Sequence, residues 1–438
     1  MITLFETFTD ESAALYHSLK QSEIYHQTAV IEDDGFLPDD VITPYLYFSN
    51  FKPFKNEKGR YFNEVETPLY WEIEGTNNQG TIKDMGKLRG RIFYCRNNKN
   101  RIVNRVDWLD EDGDVRSVDH YNKYGFKFAT QVFNKAGQSI LKTYYDRKGK
   151  VIIYENHFTQ AVILTYKGKE HLFNSKIEFV QFFLKEAFEQ LDGFILNSLS
   201  VPFIAVYHLG LPGKDYLFWQ ESIQGDIPGN MKLMFDSPNR DFTAVIPDRQ
   251  EYDRILEVVD HSVKSKVKKA GYLYRYMKKV QMGEQILTLT NSDQLEDIER
   301  YINELPQYTF NIAAVTEMSP KLMELGKYSN VKLYPSVKRN TVINLFNESN
   351  IYLDINHGNE ILNAVRSAFD FNMMIFANNR TAHNRKFTAT EHVYQQTEDI
   401  IAQLKRTYES PNVFDELLKK QKKHANEITV EQFNNAFI

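Results

Sequence analysis

The chain has 438 residues, 42% hydrophobic and 25% charged, with 53 Lys and Arg against 58 Asp and Glu for a net charge of -5. That length exceeds what one hydrophobic core usually fills, so two or three domains are expected, and the composition excludes a disordered or fibrous chain. The negative balance leaves no long-range attraction for nucleic acid phosphates, and a lone Cys95 excludes an internal disulfide or a multi-cysteine metal site. A cytoplasmic, reducing compartment fits, since no basic-then-apolar leader and no window of about 18 apolar residues is found.

The first elements are a strand at 1–5 and a helix at about 10–21. Between them, Phe5-Glu6-Thr7-Phe8-Thr9-Asp10 offers a helix cap through Thr9 or Asp10. It offers no phosphate cradle, because the first glycine in the chain is Gly35.

From about residue 45 the pattern changes to strands, at 69–73 and 91–94 and then in a repeat. Gly113, Gly125, Gly137 and Gly149 recur every twelve residues, each preceded at three residues by Asp110, Asn122, Asn134 or Asp146. Asp or Asn bonding its own backbone, followed by a glycine that accepts positive φ, is the chemistry of a bulged hairpin turn. Asn98 continues the phase upstream, with Arg101 in place of the glycine. Segments such as Phe126-Lys127-Phe128-Ala129-Thr130-Gln131-Val132-Phe133 supply the strands between turns, and another lies at 161–164.

Alternating short apolar runs and amphipathic stretches then resume: a helix at 176–191, strands at 194–196 and 216–219, and a helix at 201–209. Gly210-Leu211-Pro212-Gly213-Lys214 lacks the spacing of a nucleotide-binding loop and reads as a surface turn. After residue 240, strands are expected at 244–246, 285–289, 310–315, 331–334, 351–353 and 373–376, with helices at 294–305 and 340–348. The basic run Lys264, Lys266, Lys268, Lys269, Arg275, Lys278 and Lys279, interleaved with Tyr272, Tyr274 and Tyr276, reads as a solvated helix face, with an anionic membrane surface as the sharper alternative.

The expected fold is therefore α/β, with two doubly wound Rossmann-like lobes and an inserted antiparallel β-meander. Residues 1–44 and 166–240 form the first lobe, 45–165 the inserted sheet and 241–412 the second lobe. The terminal helix within 413–438 is a candidate to cross back onto the first lobe. Two such lobes bind nucleotides at the carboxyl ends of their strands, which directs attention to Asn356-His357-Gly358-Asn359-Glu360 after the strand at 351–353. Glu360 stands near a helix start and reads first as a partner of the helix dipole. No zinc-hydrolase spacing occurs among the eleven histidines.

The opening Met1-Ile2-Thr3-Leu4-Phe5-Glu6, the segments Leu217-Phe218-Trp219-Gln220-Glu221 and Ile227-Pro228-Gly229-Asn230-Met231, and Tyr352-Leu353-Asp354-Ile355-Asn356-His357-Gly358-Asn359-Glu360 carry a resemblance along essentially the whole chain. It resembles the GT-B glycosyltransferases with an inserted β-sheet. More closely, it resembles the glycosyltransferase-stabilising proteins of the accessory Sec system of Gram-positive bacteria.

The resemblance implies a non-catalytic subunit without a cofactor. Its implied partners are an active glycosyltransferase using UDP-N-acetylglucosamine and an unfolded Ser/Thr-rich adhesin polypeptide. It implies a cytoplasmic location with peripheral contact at the membrane. The alternative is a GT-B transferase active by itself with atypical donor contacts.

Active relatives carry an Arg and a Lys in the loop that corresponds to Thr290-Asn291-Ser292-Asp293-Gln294, where this chain has neither. They also carry two glutamates flanking the helix that meets the sugar. Glu360 stands near the first, and Arg366-Ser367-Ala368 offers no second carboxylate. Ser292, His357, Asn359 and Glu360 then line a vestigial donor cleft. Tyr121, Phe133 and Tyr145, each one residue before a turn Asp or Asn, are the candidates for acceptor contact on the inserted sheet, with core filling as their other reading.

Overall fold

The structure, a computed structural model, describes residues 1–24, 26–95, 101–279 and 282–437. It has two compact units. One comprises residues 1–16, 24–269 and 437, and the other comprises 17–23 and 270–436.

The first unit contains a seven-stranded parallel sheet in the order Val267–Lys269, Arg240–Ile246, Gly213–Phe218, Phe194–Leu196, Ile2–Phe5, Gln27–Val30, Val41–Ile42. The strand order runs outward both ways from Ile2–Phe5, whose residues are all buried, as expected where helices cover both faces. Thr9 caps the following helix, its Oγ1 accepting from the Ser12 amide at 3.2 Å.

Several expectations need correction here, among them the end of the inserted sheet, which runs to Phe173 rather than to 165. The strand at 244–246 does not open the second lobe. It pairs in parallel with Gly213–Phe218, and Arg240 at its start donates to Asp215 Oδ1 of that strand at 2.8 Å in a fully buried ion pair. The basic run is not a helix either. A short turn at Lys264–Lys266 leads into the edge strand Val267–Lys269, and Tyr272, Tyr274 and Tyr276 recur at the two-residue period of extended chain rather than at a helical period. The terminal helix, Pro411–His424, buries Phe414, Leu417 and Leu418 in the core of the second unit. Phe437 counts with the first unit, its ring stacked 6.3 Å from that of Phe218.

The inserted sheet has ten antiparallel strands in simple sequence order, from Glu72–Gly75 to Lys169–Phe173. Its turns follow the repeat. Gly113, Gly125, Gly137 and Gly149 have φ of 86°, 80°, 72° and 77°, and each amide donates to the carbonyl of the Asp or Asn three residues before it. Asn98 lies outside the described residues.

Cross-strand register defines two faces of this sheet. Ala129, Tyr144, Ile153 and Leu164 stand in a row on one, with Gln131, Lys142, Glu155 and Val162 in the next row of the same face. This face packs on the helix Lys176–Ala187 and on Tyr45 and Phe48, forming one hydrophobic cluster with the parallel sheet. On the opposite face, Ile92, Val106, Asp119, Thr130, Thr143, Tyr154, Ile163 and Leu172 form a row. At its start, Ile92 and Val106 form a second small core with Val65, Phe62 and Trp71 of the segment 60–71. At its end, Ile163 and Leu172 are exposed. The sheet thus exchanges its covered face along its length.

Inside the first interface lies a charge cluster. Lys142 Nζ donates to Glu32 Oε2 at 3.1 Å, and Lys176 Nζ meets Glu32 Oε1 at 2.8 Å and the carboxylate of Glu155. Burial opposes ionisation of Glu32, yet Lys176 and Lys142 hold its carboxyl well below the usual carboxylate range. Replacing Lys176 by Met leaves Glu155 without its lysine and Glu32 with Lys142 alone, and we expect a loss of about 3 kcal/mol, the lower end of the cost of breaking a buried pair, measured by urea denaturation. The combined change of all four charged residues to apolar ones of similar size is expected to cost much less.

The second unit holds a six-stranded parallel sheet in the order Val331–Tyr334, Thr309–Ala314, Gln285–Thr290, Ile351–Asp354, Met374–Asn378, Val393–Tyr394. Apolar clusters cover both of its faces, one including Tyr301, Ile302 and Leu404 and the other Phe346, Val365 and Phe369. The order reverses between Gln285–Thr290 and Ile351–Asp354, the switch point at which such sheets place a binding crevice.

Candidate functional site

At that switch point the second unit brings the loop after Thr290 against the loop after Asp354. Sequence reasoning located both loops but not how they are joined. Thr290 Oγ1 donates to Asn356 Oδ1 at 2.9 Å, and Asn356 Nδ2 donates to Asn291 Oδ1 at 3.2 Å and to the Asn359 carbonyl at 3.4 Å. The Gly358 amide also bonds Asn356 Oδ1, at 3.1 Å. The fit is close enough that a Cβ on Gly358 would lie 2.0 Å from Asn291 Oδ1, so a larger residue there would displace the Asn291 side chain.

Each of the expected cleft residues has a local task. Ser292 turns the loop, its amide donating to Thr290 Oγ1 at 3.0 Å and its own Oγ accepting from the Gln294 amide at 3.0 Å. His357 Nε2 lies 2.6 Å from Glu296 Oε2, and Arg380 meets the other oxygen of Glu296 at 3.0 Å. Glu360 Oε1 accepts from the Val365 amide at 2.9 Å, in the first turn of the helix Ala364–Asp370, which is the dipole-partner role read from the sequence. Asn359 contributes its carbonyl, and its side chain is exposed. Arg366 pairs with Asp370 at 2.9 Å and lies over the ring of Phe387.

Sequence reasoning missed Asp354 and His383, which fasten the arrangement. Asp354 ends its strand almost fully buried. Its Oδ2 accepts from the His383 amide at 2.8 Å, its Oδ1 lies 2.6 Å from His383 Nδ1, and His383 Nε2 lies 2.7 Å from the Gly358 carbonyl. A histidine 29 residues further along in a loop carries no motif, so spacing gave no signal.

The carboxylates nearest the crevice, Asp354 and Glu296, are thus spent on histidine and arginine partners, and the polar atoms of the loops mostly satisfy one another. Chemically the arrangement is a lock. The cations within these contacts, Arg380 and His383, are paired with Glu296 and Asp354.

On the inserted sheet, the three aromatic candidates are not brought together. Tyr121 is buried in the small core with Val65 and Val106, beneath the Arg60 guanidinium. Strand alternation puts Tyr145 on the same face as Tyr121, and Phe133, half-buried, on the other. Equal position relative to the turns does not give one shared face.

The Asp354 hydrogen bond, against the opposing effect of burial, raises the His383 pKa to about 9. Since this folded value lies above the unfolded one of about 6.5, the stabilisation is complete below about pH 6.5 and is lost as pH rises through about 9. We expect His383→Gln to cost on the order of 2 kcal/mol at pH 6 and little at pH 10, read from urea denaturation of both proteins at the two pH values.

Four family models match consecutive parts of the chain: the GtfB N-terminal domain at 2–48, the GtfB middle domain at 71–174, the GtfB third domain at 176–258 and the GftB/GlyA-F C-terminal domain at 286–421. The UDP-N-acetylglucosamine–peptide N-acetylglucosaminyltransferase stabilizing protein GtfB of Streptococcus pneumoniae is 37% identical over 99% of this chain and 98% of its own length. The protein of the same description from Streptococcus gordonii is 37% identical over 98% of this chain and 96% of its own. A chain of the crystal structure of a GtfA/B complex bound to UDP and GlcNAc superposes with a TM-score of 0.93 at 36% identity, covering 99% of this chain and 98% of that one. An accessory secretory protein structure from Streptococcus pneumoniae shares the fold at a TM-score of 0.62 and 12% identity. With GT-B-like architecture and end-to-end likeness of this extent, the chain belongs to the GtfB family of peptide N-acetylglucosaminyltransferase-stabilising proteins.

Proposed function

We propose that this chain is the non-catalytic, stabilising and acceptor-binding subunit of a protein O-GlcNAc transferase that modifies Ser and Thr of serine-rich repeat adhesins before accessory Sec export. Its partner is an active glycosyltransferase that uses UDP-N-acetylglucosamine. The observation that carries this reading is the locked switch point, where Asn291, Asn356, Gly358 and His383 bond one another. A diphosphate entering there meets cations that are already committed, Arg380 to Glu296 and His383 to Asp354, so little positive charge is left to offset its desolvation.

Acceptor binding is assigned to the inserted sheet, whose outer face leaves Ile163 and Leu172 uncovered and whose strand Lys169–Phe173 forms an edge open to an extended chain. Tyr145, on that outer face, remains a candidate for contact, whereas Phe133 lies on the other face and Tyr121 is buried beneath Arg60. The proposed location is cytoplasmic, with peripheral membrane contact through the exposed Lys264 and Lys269. Among the described residues no helix is long and apolar enough to cross a membrane.

Reconstitution tests the reading. The purified chain alone is expected to show no transfer or hydrolysis of UDP-N-acetylglucosamine, and to restore transfer to a serine-rich peptide when added to the glycosyltransferase encoded beside it. Turnover by the chain alone at enzymatic rates, on the order of 1 per second, would establish the independent transferase instead.

A further inference from the structure

The first unit has a cavity of about 500 Å³ between the segment 33–53 and the turn at 122–124 of the inserted sheet. Its wall is held by close contacts. The Lys123 amide donates to the Gly35 carbonyl at 2.8 Å, and Gly35, with φ of 81°, packs so tightly that a Cβ would lie 2.5 Å from the Tyr121 carbonyl oxygen. The lining is largely apolar and aromatic, with Leu37, Val41, Tyr45, Leu46, Phe51 and Tyr124 among its residues.

Asp33 is the exception, a lining carboxylate that is only 8% exposed. Its Oδ1 accepts from the Gly35 amide at 2.7 Å and its Oδ2 from the Thr43 hydroxyl at 2.8 Å. Both donors are neutral, and among the described residues no Lys, Arg or His forms an ion pair with it. The preceding residue, Glu32, meets both Lys142 and Lys176. Burial pushes the Asp33 carboxyl up to about 6. Cations beside the cavity are committed elsewhere: Lys123 donates to the Leu37 carbonyl at 2.6 Å and pairs with Asp39, and Arg147 donates to Glu57 at 3.2 Å.

We infer that this cavity binds a primary alkylammonium group, with the charged end on Asp33 and the methylene body against Leu37, Val41 and Phe51. A buried carboxylate without a countercharge is costly, and a cationic ligand offsets that cost. Each Asp33 oxygen accepts one bond and keeps a second acceptor position for the incoming N–H. An anion is opposed by Asp33 and Asp39, while a wholly apolar ligand would deepen the burial of Asp33 without pairing it. The exposed Asp34 and Asp39 on the same segment add a field that attracts cations. Aromatic rings here already receive them, with Arg147 over Phe51 at 4.9 Å and Lys123 over Tyr124 at 5.5 Å. The volume falls within the roughly 300–1,000 Å³ of small-ligand sites. Two sources share this chemistry, a free amine and the side chain of a lysine on a protein partner. The inference goes beyond the proposed function, and a failure of either leaves the other standing.

The test titrates the full chain with cadaverine and with Nα-acetyl-lysine methylamide, using Nα-acetyl-norleucine methylamide as the neutral control, by calorimetry and saturation-transfer NMR. Both amines are expected to bind at about millimolar strength or tighter, and the control at least about 10-fold more weakly. Asp33→Asn is expected to remove that difference. Asn keeps an acceptor for the Gly35 amide, and the Thr43 hydroxyl can accept in place of donating. Because the substitution removes an unpaired buried charge, its Tm at neutral pH is expected to be no lower than that of the unaltered chain, which separates lost binding from lost folding. Repeating the titration with the transferase present identifies the source. Loss of the amine signal assigns the site to a lysine of that partner, and its persistence assigns it to a free amine. Absence of amine binding to the chain alone, equal binding of the neutral control, or amine binding unchanged by Asp33→Asn overturns the proposal.

Discussion

The orientation of the inserted sheet depends on four charges that meet where it joins the first lobe. Lys142 and Glu155 come from neighbouring strands of the sheet, Glu32 follows a strand of the lobe, and Lys176 begins the helix between them. Three separate pieces of chain must therefore be in register for the charges to cancel. A slip of one residue would offer Thr143 and Tyr154 in place of Lys142 and Glu155, leaving Glu32 and Lys176 with only each other as partners. Because apolar replacements of buried ion pairs are often no less stable, the distinctive contribution of such a cluster is the choice of one arrangement. Around it, Tyr45 stacks on Tyr144 at 5.8 Å and meets Phe128 at 5.2 Å, so aromatic packing and charge matching select the same register.

With one half of the sheet committed to the lobe, the other half must cover apolar residues elsewhere. Near the lobe, the row of Ala129, Tyr144, Ile153 and Leu164 is covered. Farther along, the equivalent positions become Arg105 and Phe93, and the apolar positions move to Ile92 and Val106 on the opposite face. The segment 60–71 supplies the cover there through Val65, anchored where the Arg60 carbonyl accepts from Val103 and its guanidinium donates to the Gly125 carbonyl. Gly125 must be glycine for two reasons. Its φ is 80°, and a Cβ would come within 2.6 Å of the Lys58 carbonyl. One member of the repeat thus serves both as a turn and as the docking point of the covering segment.

Much of this was legible in the sequence because it is local. The turns needed only an Asp or Asn and a glycine at fixed spacing, and the helix from Asp10 needed only its Thr9 cap and a periodic apolar face. What was not legible depended on contacts between distant residues. The strand containing Ala244 looked like the opening of the second lobe because its partner is set by a buried contact, Arg240 on Asp215, that leaves no periodicity. The lysine-rich run is compatible with a helix by charge alone, and only the two-residue step of Tyr272, Tyr274 and Tyr276 marks it as extended chain. At the switch point, missing cations could be read directly from Asn291 to Gln294, whereas the lock itself required His383 to be placed beside Asp354.

The lock gives the polar groups at the switch point partners from the protein itself. Polar strand ends at a switch point need partners, and in a binding crevice a ligand can supply some of them. Here side chains supply them: Asn356 spans both loops, and His383 bonds to Asp354 and to the Gly358 carbonyl at once. The cost is fixed geometry, seen in the closeness of Asn291 to Gly358 and in the positive φ of Leu362 and Asn363, 59° and 48°, where the chain enters the helix Ala364–Asp370. A donor site built here would take more than an Arg and a Lys in the first loop. Asn291 would have to release Gly358, and Asp354 would have to exchange its histidine for a ligand, so several mutually bonded groups would have to change together.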